Sequence, residues 1–311
     1  INAEQNRIAS PILSQIKRNN HDISNNMKRK RTLWLMYLLL CAGTLLAQEY
    51  RTDKAISYRP DSKNEYVQKK CLLDVYYPAN KANFTTVVWY HGGGLTVGDR
   101  ELPRELQGQG LCIVGVSYRL CAGNKDPKAI NASITTDDCV DDAAAAAAWV
   151  MKNIERYGGD PNKIYLAGHS AGGYLVSMIG LDKRRLAKYD VDVDKFAALI
   201  PFSGQMITHF QNRRDRGISD LQPLIDEAAP LYYVRKDCPP ILLICGDRER
   251  EMLGRYEENA YMWRMLKLTG HPAAYLYELD GFDHGTMSRP AHYILLEYIR
   301  NRESEKYTYY R

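Results

Sequence analysis

The stretch Ile164-Tyr165-Leu166-Ala167-Gly168-His169-Ser170-Ala171-Gly172-Gly173-Tyr174 decides how this chain is read. A short apolar run with the look of a buried strand meets Gly-His-Ser-Ala-Gly, and residues 174–181 continue as an apolar segment with helical potential. A serine on so sharp a strand-to-helix turn exposes its hydroxyl, and the next backbone N–H points at the reacting oxygen. Glycine at 168 and 172 leaves room for the turn. The start of the helix adds partial positive charge where an oxyanion would form. The same five residues also fit a glycine-rich β-to-α turn with an idle serine, so the rest of the chain must choose.

Upstream, residues 58–78 read as a β-rich entry, and residues 85–90 form a strand that runs directly into His91-Gly92-Gly93-Gly94-Leu95. A glycine triplet leaving a strand marks backbone that approaches something closely. Residues 111–118 are the next buried strand. Asp137, Asp138, Asp141 and Asp142 then precede an alanine run at 143–148, which favours a helix N-terminus. The alternative, a metal site, lacks the spacing of a calcium loop. Residues 157–161 form a turn that delivers the chain to the strand at 164.

Downstream, residues 196–202 and 241–245 read as strands, 256–268 as a helix, 273–279 as a last strand and 291–302 as a closing helix. Strands alternate with helices from residue 85 onward. The fold class is therefore α/β, a mainly parallel sheet with helices on both faces. Residues 205–237 are a polar, irregular insertion, long enough for a small cap, and their charges read as a solvated surface.

Catalytic groups in open parallel sheets collect at the carboxyl ends of the strands. Ser170, the Asp247/Glu249 pair and His284 all fall at such ends, in the order serine, acid, histidine. Serine needs a base to take its proton as it attacks. A histidine steadied by a carboxylate on its far nitrogen suits that role. His284 is the candidate base, ahead of His169, His209, His271 and His292.

Four pieces of sequence resemble the α/β-hydrolase esterases that carry an HGGG motif, the branch of hormone-sensitive-lipase-like and kynurenine-formamidase-like enzymes. They are residues 91–94, 168–173, 239–246 and 281–285, in the family's order. The resemblance implies that Gly93 and Gly94 supply oxyanion-hole N–H groups beside that of Ala171, while His91 braces the loop. It also implies an aspartate three residues after the glycine that ends the 241–246 run, where this chain has Glu249. Glu249 is therefore favoured as the acid over Asp247, with Glu251 a more distant third.

The resulting expectation is a serine hydrolase acting on carboxylic esters through an acyl-enzyme, with acyl groups on carbohydrates or other small esters as substrates. An amidase or peptidase using the same triad is the alternative within enzymes, and a binding module on the hydrolase fold the alternative outside them. Neither metal nor organic cofactor is implied.

Composition agrees with a small-molecule substrate and no nucleic acid. The formal charge of +5 sits in residues 1–47, which hold seven Lys or Arg against Glu4 and Asp22, while the other 264 residues carry 35 basic and 35 acidic side chains. Met27, Lys28-Arg29-Lys30-Arg31, the apolar run 33–46 and Ala47 have the layout of a signal peptide, so export to a periplasmic or extracellular space is expected, with no stable membrane span after cleavage. An uncleaved anchor, or lipid attachment at Cys41, is the alternative. Residues 1–26 read as an upstream extension, leaving 48–311 as a single hydrolase domain. Of its six cysteines, Cys112 and Cys245 lie within strands and read as buried thiols, with no spacing suited to zinc.

Overall fold

The computed structural model describes Met27, residues 29–31, residues 48–123 and residues 128–304. The chain divides into two compact units, Ile1–Ala47 and Gln48–Arg311. In the first, Met27 and residues 29–31 are helical. The upstream extension and the apolar part of the signal-peptide reading lie outside the described residues.

The second unit is built on an eight-stranded sheet: β1 (Tyr50–Ser57), β2 (Leu72–Pro78), β3 (Phe84–Tyr90), β4 (Cys112–Val116), β5 (Gly159–His169), β6 (Ala198–Phe202), β7 (Ile241–Gly246) and β8 (Ala274–Leu279). Their spatial order is β1-β2-β4-β3-β5-β6-β7-β8. β1 and β2 are antiparallel additions, and the six strands from β4 to β8 run parallel. Every residue of β3 is buried, as expected of a parallel strand covered on both faces.

The covering helices explain their own composition. α2 (Thr136–Asn153) and α3 (Ala171–Leu181) pack on one face with Val88, Leu166 and Leu199. α7 (Ser288–Glu303) covers the other through Leu295 and Ile299 against Val87, Trp89 and Ile244. The alanine run lies buried within α2, where small side chains let the helix approach the core and Tyr90 donate to the Ala143 carbonyl at 2.8 Å. The acidic residues ahead of it do form a helix start. Thr135 and Asp138 close a capping box, and the fully buried Asp142 pairs with Arg59 and Arg119 at 2.9 and 2.7 Å.

Three sequence expectations need correction. β1 starts at Tyr50, ahead of the expected β-rich entry, and that entry is interrupted by helix α1 (Glu65–Lys70). The side chain of Asn64 caps α1 by accepting from Tyr66 and Val67, but six residues are too few to display a helical period. The insertion at 205–237 is more structured than a solvated loop: it holds α5 (Phe210–Asp215) and a 3₁₀ turn at Pro230–Tyr233. Its Arg213 is buried and donates to the carbonyls of Asp220 and Gln222 at 2.8 and 2.5 Å, pinning the loop that follows α5. The remaining α-helices of this unit among the described residues are α4 (Lys183–Ala187) and α6 (Arg255–Leu268). Among the described residues no helix is long and apolar enough to cross a membrane.

At the junction of β5 and α3 backbone meets backbone. A Cβ on Gly172 would lie 1.9 Å from the Tyr90 carbonyl oxygen, and one on Gly168 would lie 2.7 Å from the same oxygen. These glycines are thus required by close approach. Gly172→Ala should cost about 3 kcal/mol or more, since neither partner can yield. Gly217→Ala, at a φ of +70° with nothing within 4 Å, should cost only about 1 kcal/mol of backbone strain. Urea unfolding midpoints of the two variants would check the contrast.

Candidate active site

Ser170 stands between the end of β5 and the start of α3 with φ 56° and ψ −113°. This left-handed backbone is strained for a side chain with a Cβ, on the order of 1–3 kcal/mol. Flanking hydrogen bonds hold it: Ser170 N–H donates to the Phe202 carbonyl at 2.8 Å, and its own carbonyl accepts from Tyr174 at 3.0 Å.

His284, in the turn between β8 and α7, meets the serine. Its Nε2 is 2.8 Å from Ser170 Oγ, and its Nδ1 is 2.5 Å from Glu251 Oε1. Glu251 has four donors. Oε1 accepts from His284 and from the Met252 N–H at 2.9 Å; Oε2 accepts from the Ser203 hydroxyl and from the Gly246 N–H at 3.2 Å. Burial works against the carboxylate's charge, but the hydrogen bonds from His284 and Ser203 outweigh it and bring its pKa down to about 2. An ionised carboxylate only accepts, so Nδ1 carries the proton and Nε2 is free to receive the one on Ser170.

The carboxylate that meets His284 is therefore Glu251, where the sequence reading favoured Glu249 with Asp247 as the alternative. Asp247 is half-buried and builds the turn after β7: its carboxylate accepts from the N–H groups of Glu249 and Gly281 at 2.9 and 2.8 Å. The Asp247 carbonyl accepts from Glu251 N–H at 2.8 Å, curling the chain through one helical turn. That turn leaves Glu249 exposed and carries Glu251 back under His284. Glutamate's extra methylene suits this longer excursion.

Ser203 was missed by sequence reasoning. It follows β6, is fully buried, has φ 45°, and its carbonyl accepts from the buried Arg255 at 2.5 Å. A hydroxyl residue at the carboxyl end of a buried strand was the available signal.

The glycine triplet lies beside this group. A Cβ on Gly92 would come within 3.3 Å of Ser170 Cβ, and Gly93, Gly94 and Leu95 take φ of 105°, 61° and 64°. The Gly93 carbonyl accepts from Thr96 and Val97, whereas among the described residues the N–H groups of Gly93, Gly94 and Ala171 have no backbone acceptor. His91 braces the loop as expected: it is buried, contacts the Gly92 carbonyl through Nδ1 at 2.7 Å and stacks on Tyr118 at 4.3 Å. Burial lowers its pKa to about 4. His169 is also neutral, lowered to about 4 by burial and by His284, and its Nε2 donates to the His284 carbonyl at 2.8 Å.

A cleft of about 780 Å³ opens between the 205–237 insertion and the start of α6, walled by Phe210, Leu221, Ile225, Met252, Leu253 and Tyr261 among others. It adjoins the site at two points. The Phe210 ring lies 2.9 Å from where a Gly94 Cβ would stand, and Met252 is the residue whose N–H holds Glu251.

Residues 73–254, more than half of the chain, match the family model described as BD-FAE. The chain belongs to the BD-FAE family. This BD-FAE chain is 26% identical to esterase LipC of Mycobacterium tuberculosis over 215 residues, 63% of its own length and 50% of LipC. It is 35% identical to carboxylesterase NlhH of the same organism over 111 residues, 34% of this chain and 32% of NlhH. It spans about half or a quarter of the length of the first curated relatives it matches. A truncated carbohydrate esterase from gut microbiota shares its α/β-hydrolase fold, with a TM-score of 0.64 at 15% identity over 83% of this chain and 98% of that one.

If Glu251 orients His284, Glu251→Gln should slow fluorophosphonate labelling of Ser170 by about 100-fold or more, while Glu249→Gln and Asp247→Asn stay within about threefold of the parent. The carboxylate's depressed pKa also predicts a pH signature. Because the unfolded chain takes up this proton first, the stabilisation is complete above about 4.5 and is lost as pH falls toward about 2. The stability gap between parent and Glu251→Gln, read by urea unfolding, should be widest at neutral pH and shrink below pH 4.5.

Proposed function

We propose that this chain is an exported serine hydrolase that cleaves carboxylic esters through an acyl-enzyme. The observation that carries the reading is the unbroken line Glu251–His284–Ser170, with contacts of 2.5 and 2.8 Å, opening beside the glycine loop.

Ser170 Oγ attacks the acyl carbon as its proton passes to His284 Nε2. Glu251 steadies the imidazolium, and the N–H groups of Gly93, Gly94 and Ala171 receive the charge that develops on the former carbonyl oxygen. Collapse returns the proton from Nε2 to the departing alkoxide and leaves the acyl group on Ser170. Water, activated by the same nitrogen, then releases the acid. All these groups belong to the domain 48–311, with residues 205–237 as its cap.

The proposed substrates are acyl groups on carbohydrates or other small esters. Support comes from relatives named as esterases and from a solved relative titled a carbohydrate esterase. The cleft supplies a mainly apolar space for the non-reacting part of the ester, and Leu221 and Leu253, 81% and 92% exposed, line it from its two sides. Export rests on the signal-peptide layout of residues 27–47.

Hydrolysis of p-nitrophenyl acetate, butyrate and octanoate by the full chain and by Ser170→Ala tests the reading. Serine-dependent turnover is expected. Labelling of Ser170 by a fluorophosphonate without turnover would move the proposal to amides or bulkier esters, and loss of both would favour a binding module. Leu253→Asp should lower the octanoate-to-acetate ratio of kcat/KM by roughly tenfold, with acetate turnover little changed.

A further inference from the structure

Two thiols outside the catalytic group are in contact. Cys121, in the segment after β4, and Cys139, in the first turn of α2, have Sγ atoms 3.7 Å apart, and both side chains are buried. Their surroundings tie them to the glycine loop. Cys121 N–H donates to the carbonyl of Leu95, the buried residue directly after the glycine triplet, at 2.8 Å. A Cβ on nearby Gly123 would stand 3.6 Å from Thr96 Cβ. The cysteine pair thus lies where the support of the glycine loop meets α2.

We propose that Cys121 and Cys139 join in a disulfide when the chain folds under oxidising conditions, stapling the support of the glycine loop to α2. Its occurrence in the cell rests on the export proposed above. A bonded pair needs its sulfurs about 2.05 Å apart, so small side-chain rotations rather than a rearranged fold must bring them together. The exchange needs an external disulfide, either oxidised glutathione or a dithiol oxidase. One cysteine thiolate attacks it, forming a mixed disulfide and releasing one reduced thiol. The second thiolate then attacks the first cysteine's sulfur and releases the other, so two thiol protons and two electrons leave with the reduced carrier.

The timing follows from burial. The hydrogen bond with Cys121 and desolvation both push the Cys139 thiol up. A pair enclosed in the core, one of its thiols pushed up, exchanges slowly, so the bond closes while α2 is still docking. It stabilises mainly by removing freedom from the unfolded chain between the two cysteines.

The test is to refold the reduced full chain in a glutathione redox buffer and, in parallel, in dithiothreitol. Free thiols are then alkylated in denaturant, and tryptic peptides are mapped without reduction. Trypsin places the two cysteines on separate peptides, residues 120–125 and 129–152. The expected product of the glutathione arm is those two peptides joined, two hydrogens lighter than their sum, with Tm higher than in the dithiothreitol arm by on the order of 5 °C. Both peptides fully alkylated in the glutathione arm, or joined to other cysteines, would overturn the proposal. A Cys121→Ala, Cys139→Ala double variant should show no Tm difference between the buffers. A difference that persists there would assign the stabilisation elsewhere. A bond that forms on refolding yet is missing from protein recovered after expression with residues 27–47 intact would count against export and leave the geometry standing.

Discussion

The backbone contact between the Tyr90 carbonyl and Gly172 sets the distances on which the site depends. β3 ends at that carbonyl and the glycine loop begins one residue later, so the position of the loop relative to Ser170 is fixed where two main chains touch. Side chains cannot adjust such a contact, because no side chain takes part in it. The strained φ of Ser170 persists for the same reason: β5, β6 and the first turn of α3 over-determine it. Ser203 repeats the arrangement one strand over, with a positive φ at the end of β6 and its hydroxyl turned to Glu251.

Electrostatics in the site rest on the buried Glu251 carboxylate and its donors. Glu251 is removed from water yet stays ionised because backbone and side-chain donors converge on both its oxygens. The two histidines nearest the loop and the elbow, His91 and His169, are kept neutral by burial and serve as braces. Arg255 approaches indirectly, through the Ser203 carbonyl, so it supports the acid's partner without pairing with the acid itself.

Much of this was legible in the chain. Periodicity marked nearly every strand and helix from residue 85 onward, because buried parallel strands are short apolar runs and their helices follow at regular intervals. The elbow, the glycine triplet and His284 announced themselves because each needs residue types that few other settings require. Short or irregular elements were less visible: α1 has only six residues, and Arg213 reads as a surface charge until the carbonyls of Asp220 and Gln222 are seen around it.

The amino-acid sequence by itself determined the α/β class and singled out Ser170, His284 and the glycine loop beside them, since local pattern and turn chemistry specify all four. Only the tertiary structure decided which carboxylate serves the histidine. Asp247, Glu249 and Glu251 are near neighbours in the chain and chemically alike. They are separated by one helical turn, whose hydrogen bond from Glu251 N–H to the Asp247 carbonyl leaves Glu249 in solvent and Asp247 bonded to the turn's own backbone, and carries Glu251 under His284. The same holds for the two thiols brought together at Cys121 and Cys139, which lie 18 residues apart in the chain and meet only because α2 folds back against the support of the glycine loop.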